Sequence, residues 1–349
     1  VLRVLCGGAQ EGSALVDHPD VTEVHMTGSG AVHDAIVWGP PDEREANRTA
    51  ATPVLSKPIT SELGCVTPVL VVPGAWSPRQ LRFQAWNVAS MVANNASFNC
   101  NAAKVLVTAR GWPQRGEFLD ALREVLSRVP TRNAYYPGAS ERQAGFVEAH
   151  AGTVCVGDPP PGHLPWALAT GLDPGRADDP AFTTEAWCGV LAETPLPVEG
   201  PLEFLEAAPR FANDVLFGTL SCSLIAQPAS VREPAVAQAL ERAIVDLRYG
   251  TVALNHWAAI GYGLGVTPWG AYPGHTLEDV GSGIGMVHNT PMFARPAKGV
   301  VRGPFAPGVK PLWAVNHRRA HRAARALAHF EARPGPRTFV ALASQALRG

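Results

Sequence analysis

Asn94-Asn95-Ala96-Ser97-Phe98-Asn99-Cys100-Asn101-Ala102 sets a single thiol among amide and small side chains. Upstream, Leu81, Ala85, Val88, Ala89 and Val92 recur at helical spacing and predict a helix over 80–96, while 103–108 reads as a strand. The thiol therefore stands in a helix-to-strand turn. Backbone amides and amide side chains in such a turn can hold a developing oxyanion, and a nucleophilic cysteine needs a polar, partly exposed surround. Read by itself, the stretch leaves an inert core thiol as an equal alternative.

Outward from this turn the chain alternates strand and helix. Pro68-Val-Leu-Val-Val72 is an apolar run of the kind buried on both faces, and 117–129 is an amphipathic helix. A helix over 140–150, strands at 188–194, 218–226 and 250–255, and helices at 202–213 and 231–247 continue the pattern. The class is α/β. Toward the amino end, 1–7 reads as a buried strand, followed by a helix to Asp17 and a strand over 21–27, a parallel βαβ unit. That strand runs into Thr27-Gly28-Ser29-Gly30, a small-residue turn opening a helix, where α/β sheets bind phosphates; His33 stands where a dinucleotide fingerprint has its third glycine. Short β-like pieces occupy 53–62, and 157–180 reads as a long proline-rich loop. After Pro268 the periodicity is lost until a basic helical segment at 317–330, so the last stretch reads as a tail or interface arm.

Composition bounds the function. The 349 residues are 46% hydrophobic and 17% charged with a formal net charge of -1, as in a soluble globular chain with two cores. So balanced a charge sets up no global field for nucleic acid or an anionic membrane, and no apolar run reaches the roughly 18 residues of a membrane span. Six scattered cysteines with no Cys-x-x-Cys pair suit a reducing, cytoplasmic compartment, with Cys155 and Cys222 read as inert core thiols. His317 and His321 are one helical turn apart but lack a third ligand, so no metal is expected. Arg318, Arg319, Arg322 and Arg325 form a basic stripe without an aromatic platform, so neither nucleic acid nor membrane is expected as a partner. Ser61-Glu62-Leu63-Gly64 places a carboxylate in an apolar strand-turn-strand stretch, where partial desolvation raises a pKa toward the general-base range; a surface glutamate at a strand end is the alternative.

Taken in order, Thr27-Gly28-Ser29, Ser61-Glu62-Leu63-Gly64, Asn99-Cys100, Thr184-Glu185-Ala186-Trp187 and Thr267-Pro268-Trp269-Gly270 form a pattern that resembles the aldehyde dehydrogenase superfamily over about residues 1–290. The resemblance implies an aldehyde dehydrogenase-like α/β fold: the later part of a Rossmann-type NAD(P)-binding domain (1–64), a catalytic thiol domain (65–275), and a tail or interface arm (276–349). It implies oxidation of a small-molecule aldehyde to a carboxylic acid with NAD or NADP, and a possible homo-oligomer. By position, Cys100 matches the nucleophile and Glu62 the general base that activates water. Gly28 and Ser29 match the turn by the pyrophosphate, Leu63 the backbone beside the nicotinamide, and Glu185 the carboxylate on the nicotinamide ribose, with Trp187 packed nearby. Phe98 and Trp269 match walls of the substrate tunnel.

Departures from the pattern are His33 and Cys65 for glycines, Ser97-Phe98 for Gly-Gln before the nucleophile, and Cys188-Gly189 for Gly-Pro after the ribose block. The resemblance also places the family's first sheet strands, its adenosine-ribose lysine and its oxyanion-hole asparagine upstream of Val1. From this follows the expectation of a shortened chain that binds dinucleotide weakly, with a non-catalytic remnant acting at most as an interaction protein as the alternative function.

Overall fold

The computed structural model describes residues 2–349. Residues 2–8 are irregular, with Leu2, Val4 and Leu5 exposed, so they do not form the strand expected at 1–7, whose first residue, Val1, lies outside the described residues. An apolar run becomes a strand only where a neighbour completes its ladder, and these residues pair with none of the described ones. The helix to Asp17 does form, as α1 (Ala9–Asp17). The parallel unit begins one strand later than expected. β1 (Val24–Thr27) leads through α2 (Gly30–Trp38) and α3 (Pro41–Thr49) to β2 (Ile59–Glu62), with Thr27 opposite Glu62. The Ser29 side chain caps α2 by accepting from the Val32 amide at 3.3 Å.

The second layer is built from β3 (Thr67–Val71), α4 (Pro78–Ala93), β4 (Ala103–Ala109), α5 (Arg115–Arg128), α6 (Ala139–Ala149), β5 (Val154–Val156), β6 (Trp166–Ala169), α7 (Pro180–Thr183), β7 (Val190–Leu196), α8 (Pro201–Asp214), β8 (Ser221–Ile225), α9 (Pro234–Asp246) and β9 (Thr251–Leu254). Beyond it lie α10 (Ile260–Leu264), β10 (Trp269–Gly270), β11 (Met286–His288), β12 (Gly299–Arg302), α11 (Ala320–Ala332) and α12 (Pro336–Ala346). Eight strands make one sheet in the order β12-β9-β8-β3-β4-β7-β6-β5, parallel throughout except for β5 against β6. Every residue of β3, β4, β7 and β8 is buried, because helices cover both faces of a parallel sheet.

Two stretches depart from the sequence reading. The proline-rich loop expected over 157–180 contains β6, a fully buried strand whose parallel pairing with β7 supplies what four residues of Trp-Ala-Leu-Ala cannot announce. The stretch after Pro268 is no loose tail: β12 closes the β9 edge of the main sheet, and β10 pairs antiparallel with β11. Residues 282–284 run along the free side of β2, where Ser61 N–H donates to Ile284 O at 2.8 Å, Leu63 N–H to Ser282 O at 2.8 Å and Ile284 N–H to Ser61 O at 3.0 Å. β2 is thus held from both sides, and its last residue is Glu62. Among the described residues no helix is long and apolar enough to cross a membrane.

Candidate active site

The loop that carries Cys100 is made by forcing the backbone out of the α4 helix. Asn95, Ala96 and Ser97 adopt φ of 50°, 54° and 70° in succession, a left-handed turn that costs non-glycine residues about 1–2 kcal/mol each. Specific bonds offset that strain. Asn99 Nδ2 reaches Asn94 Oδ1 at 2.9 Å, and Asn95 Nδ2 donates to Phe98 O at 3.1 Å. The Lys104 ammonium, buried in β4, donates to Ser97 O at 2.8 Å, Ser97 Oγ at 2.7 Å and Cys188 O at 3.3 Å. Two further donors pin the carbonyls that follow: Thr67 Oγ1 to Cys100 O at 2.8 Å and Trp257 Nε1 to Asn101 O at 2.7 Å.

So held, the thiol meets the end of β2. Cys100 Sγ donates to Glu62 Oε1 at 3.4 Å, and the same oxygen accepts the Trp269 indole N–H at 2.9 Å. Glu62 is buried and Cys100 half-buried. Burial pushes the Cys100 thiol well above its ordinary range, and the negative charges of Glu62 and Glu185 push it further. The resting thiol is therefore protonated, with Glu62 Oε1 within its reach. The site lies at the amino ends of β3 and β4, where the β1–β2 layer delivers Glu62.

Glu185 sits against Gly64: a Cβ there would lie 2.4 Å from Glu185 Oε2. Burial raises this carboxyl to about 7, opposed by the Lys104 charge, while burial pulls Lys104 down to about 8, opposed by Glu185. Glu185 Oε1 is buried and bonds to no donor among the described residues. An orphaned buried oxygen of this kind fits a ribose hydroxyl, so the residues present suit the nicotinamide-ribose end of a dinucleotide. Leu63 is buried beside Glu62, and the Gly28 N–H donates to Glu62 O at 3.1 Å, which ties the Gly28-Ser29 turn to β2. Trp187, at φ +44°, presents its carbonyl to Arg142 Nη2 at 3.2 Å and its ring to Tyr136 at 5.5 Å. Phe98 is buried edge-on against Tyr135 at 4.9 Å and lies 5.6 Å from Tyr136.

The structure thus brings Cys100, Glu62 and Trp269 into one bonded set, and Glu185 against the Leu63-Gly64 backbone. Lys104 and Trp257 were missed, although a lysine inside Ala103-Lys-Val-Leu-Val was a visible anomaly. Cys155, read as a core thiol, is exposed, because it sits on β5 at the sheet edge; Cys222 is fully buried in β8.

No family model matches this sequence, and no curated protein matches it. Solved structures do. An NAD-dependent aldehyde dehydrogenase from Sinorhizobium meliloti superposes with a TM-score of 0.58 at 18% identity, over 81% of this chain and 51% of that one. The aldehyde dehydrogenase KauB from Pseudomonas aeruginosa gives a TM-score of 0.57 at 18% identity over 80% and 51%. An NADP-dependent glyceraldehyde-3-phosphate dehydrogenase from Bacillus halodurans gives 0.58 at 17% identity over 82% and 53%. The chain spans about half the length of these neighbours. With a parallel sheet and this connection of β2 to the thiol loop, the chain has the fold of the aldehyde dehydrogenases across about four-fifths of its length.

Proposed function

We propose that this chain oxidises an aldehyde to a carboxylic acid through a covalent thioester on Cys100, with residues 1–64 contributing to cofactor binding and 65–275 carrying the thiol. The observation that carries the reading is the contact of Cys100 Sγ with Glu62 Oε1 at 3.4 Å. Glu62 takes the thiol proton at Oε1, the thiolate adds to the aldehyde carbon, and a thiohemiacetal forms on Sγ. Its oxyanion would take the backbone N–H of Cys100, as the resemblance implies. When bound, a nicotinamide dinucleotide supplies the acceptor for the hydride whose departure leaves the thioester. Glu185 and the Gly28-Ser29 turn would hold it. Once it has passed on its proton, Glu62 activates a water, hydrolysis releases the acid, and Cys100 regains its proton.

The test is cofactor reduction by the full chain with an aldehyde panel and NAD or NADP. Cys100→Ala should abolish it, and Glu62→Gln should slow steady-state turnover by about 100-fold or more, the scale of a lost general base. A folded protein that reduces neither dinucleotide with any aldehyde would favour the non-catalytic interaction protein instead.

A further inference from the structure

Trp269, which the resemblance places in a wall of the substrate tunnel, is fully buried, and its indole N–H points at the Glu62 carboxylate. Its place is fixed by backbone packing. A Cβ on Gly250 would lie 1.8 Å from Gly270 O, one on Gly270 would lie 2.5 Å from Gly285 O, and one on Gly285 would lie 2.8 Å from Thr60 Cγ2. Those close approaches join β9, β10 and the 285 turn to β2, so the indole cannot shift without moving the strand that bears Glu62. Tyr262 holds the ring from the other side, edge-on at 5.7 Å.

We propose that Trp269 is a positioning residue: its indole N–H, bonded to Glu62 Oε1, holds that oxygen on the thiol of Cys100. This deepens the proposed chemistry and rests on the reading of Glu62 as base and Cys100 as nucleophile. An indole N–H is a donor that does not titrate in the working range, so it orients the carboxylate without competing for the proton. Oε1 thereby accepts from Sγ and Nε1 at once, and the proton moves along the Sγ to Oε1 line that the indole keeps in place. A phenylalanine there would fill the wall and leave the carboxylate free to turn away.

The experiment follows the pH dependence of Cys100 alkylation by iodoacetamide in the full chain, read by peptide mass spectrometry. The charged groups acting on the thiol are Glu62, Glu185 and Cys65, with Lys104 on the opposite sign. Glu62→Gln removes the nearest negative charge and should move the Cys100 midpoint to lower pH by about one unit. Trp269→Phe should move it in the same direction, because a released carboxylate no longer opposes the thiolate. The double variant should show no shift beyond that of Glu62→Gln, since the indole acts only through Glu62. An unchanged midpoint in Trp269→Phe, or additive shifts in the double variant, overturns the proposal. Incorporation of 3-benzothienylalanine at position 269 replaces the N–H by sulfur at nearly constant shape and decides the matter if Phe perturbs packing; protection of Cys222 reports the intact fold. Neither aldehyde nor dinucleotide enters this measurement, so it stands or falls separately from turnover.

Discussion

At the scale of residues, the site depends on side chains that are missing as much as on those present. Gly64 is the clearest case. Gly64→Ala would drive a methyl group into Glu185 Oε2, and the carboxylate, buried beside Lys104, has to move. On the proposed function, we expect the KM for dinucleotide to rise about 10-fold or more, the worth of a charge-assisted bond. Glu185 also leaves a mark on stability. Its folded pKa of about 7 lies above its ordinary 4.5, so the folded state holds the proton longer; that contribution is full below 4.5 and is lost as pH rises to about 7. Lys104 has the opposite sign, its contribution being lost as pH falls from 10.5 through about 8. Urea titrations should therefore show stability falling between pH 5 and 7, and Glu185→Gln should flatten that slope. The candidates Cys100 and Glu62 were legible only through the order of the sequence blocks, since the local chemistry of each left a core thiol and a surface glutamate open. The Trp269 bond was not, since a sequence names the indole but not the direction of its N–H.

Among elements, those with a long period announced themselves and those made by pairing did not. The α4 and α5 helices and the β3, β4 and β8 strands carry enough apolar side chains to be read directly. By contrast, β6 and β12 are four residues each, and their partners come from β7 and β9, so nothing local specifies them. The ion pair that joins elements through a buried carboxylate was equally invisible. Glu193 in β7, with no exposed side-chain surface, accepts from Arg115 Nε at 2.8 Å, Arg115 Nη2 at 2.7 Å and Gly171 N–H at 2.8 Å, and from the Thr108 hydroxyl. This set ties the start of α5 to β4, β7 and the turn after β6. Arg115→Met leaves the carboxylate buried without its cation and should cost about 3–5 kcal/mol in urea unfolding. Removing an exposed pair such as Arg123 with Asp120 should cost about 1 kcal/mol or less.

For the molecule as a whole, the two layers differ in how firmly they are built. β3 is paired on both sides, by β4 and β8, and is buried throughout, whereas β1 has only β2 as a ladder neighbour among the described residues and alternates half-buried and exposed positions. Hydrogen exchange should be fastest in β1, intermediate in β2 and slowest in β3 and β4; protection of β1 equal to that of β3 would contradict this ordering. The partner layer of β2 has a further consequence, in time rather than in space. Glu62 meets the indole of a residue 207 positions later, and 282–284 pair with its strand from further still. Contacts at such separation form last, because the intervening chain must be closed before they stabilise anything. Since the chain leaves the ribosome amino end first, the thiol loop exists well before the Glu62 carboxylate acquires its indole partner. The strand that carries Glu62 is thus made long before the residues that complete its surroundings.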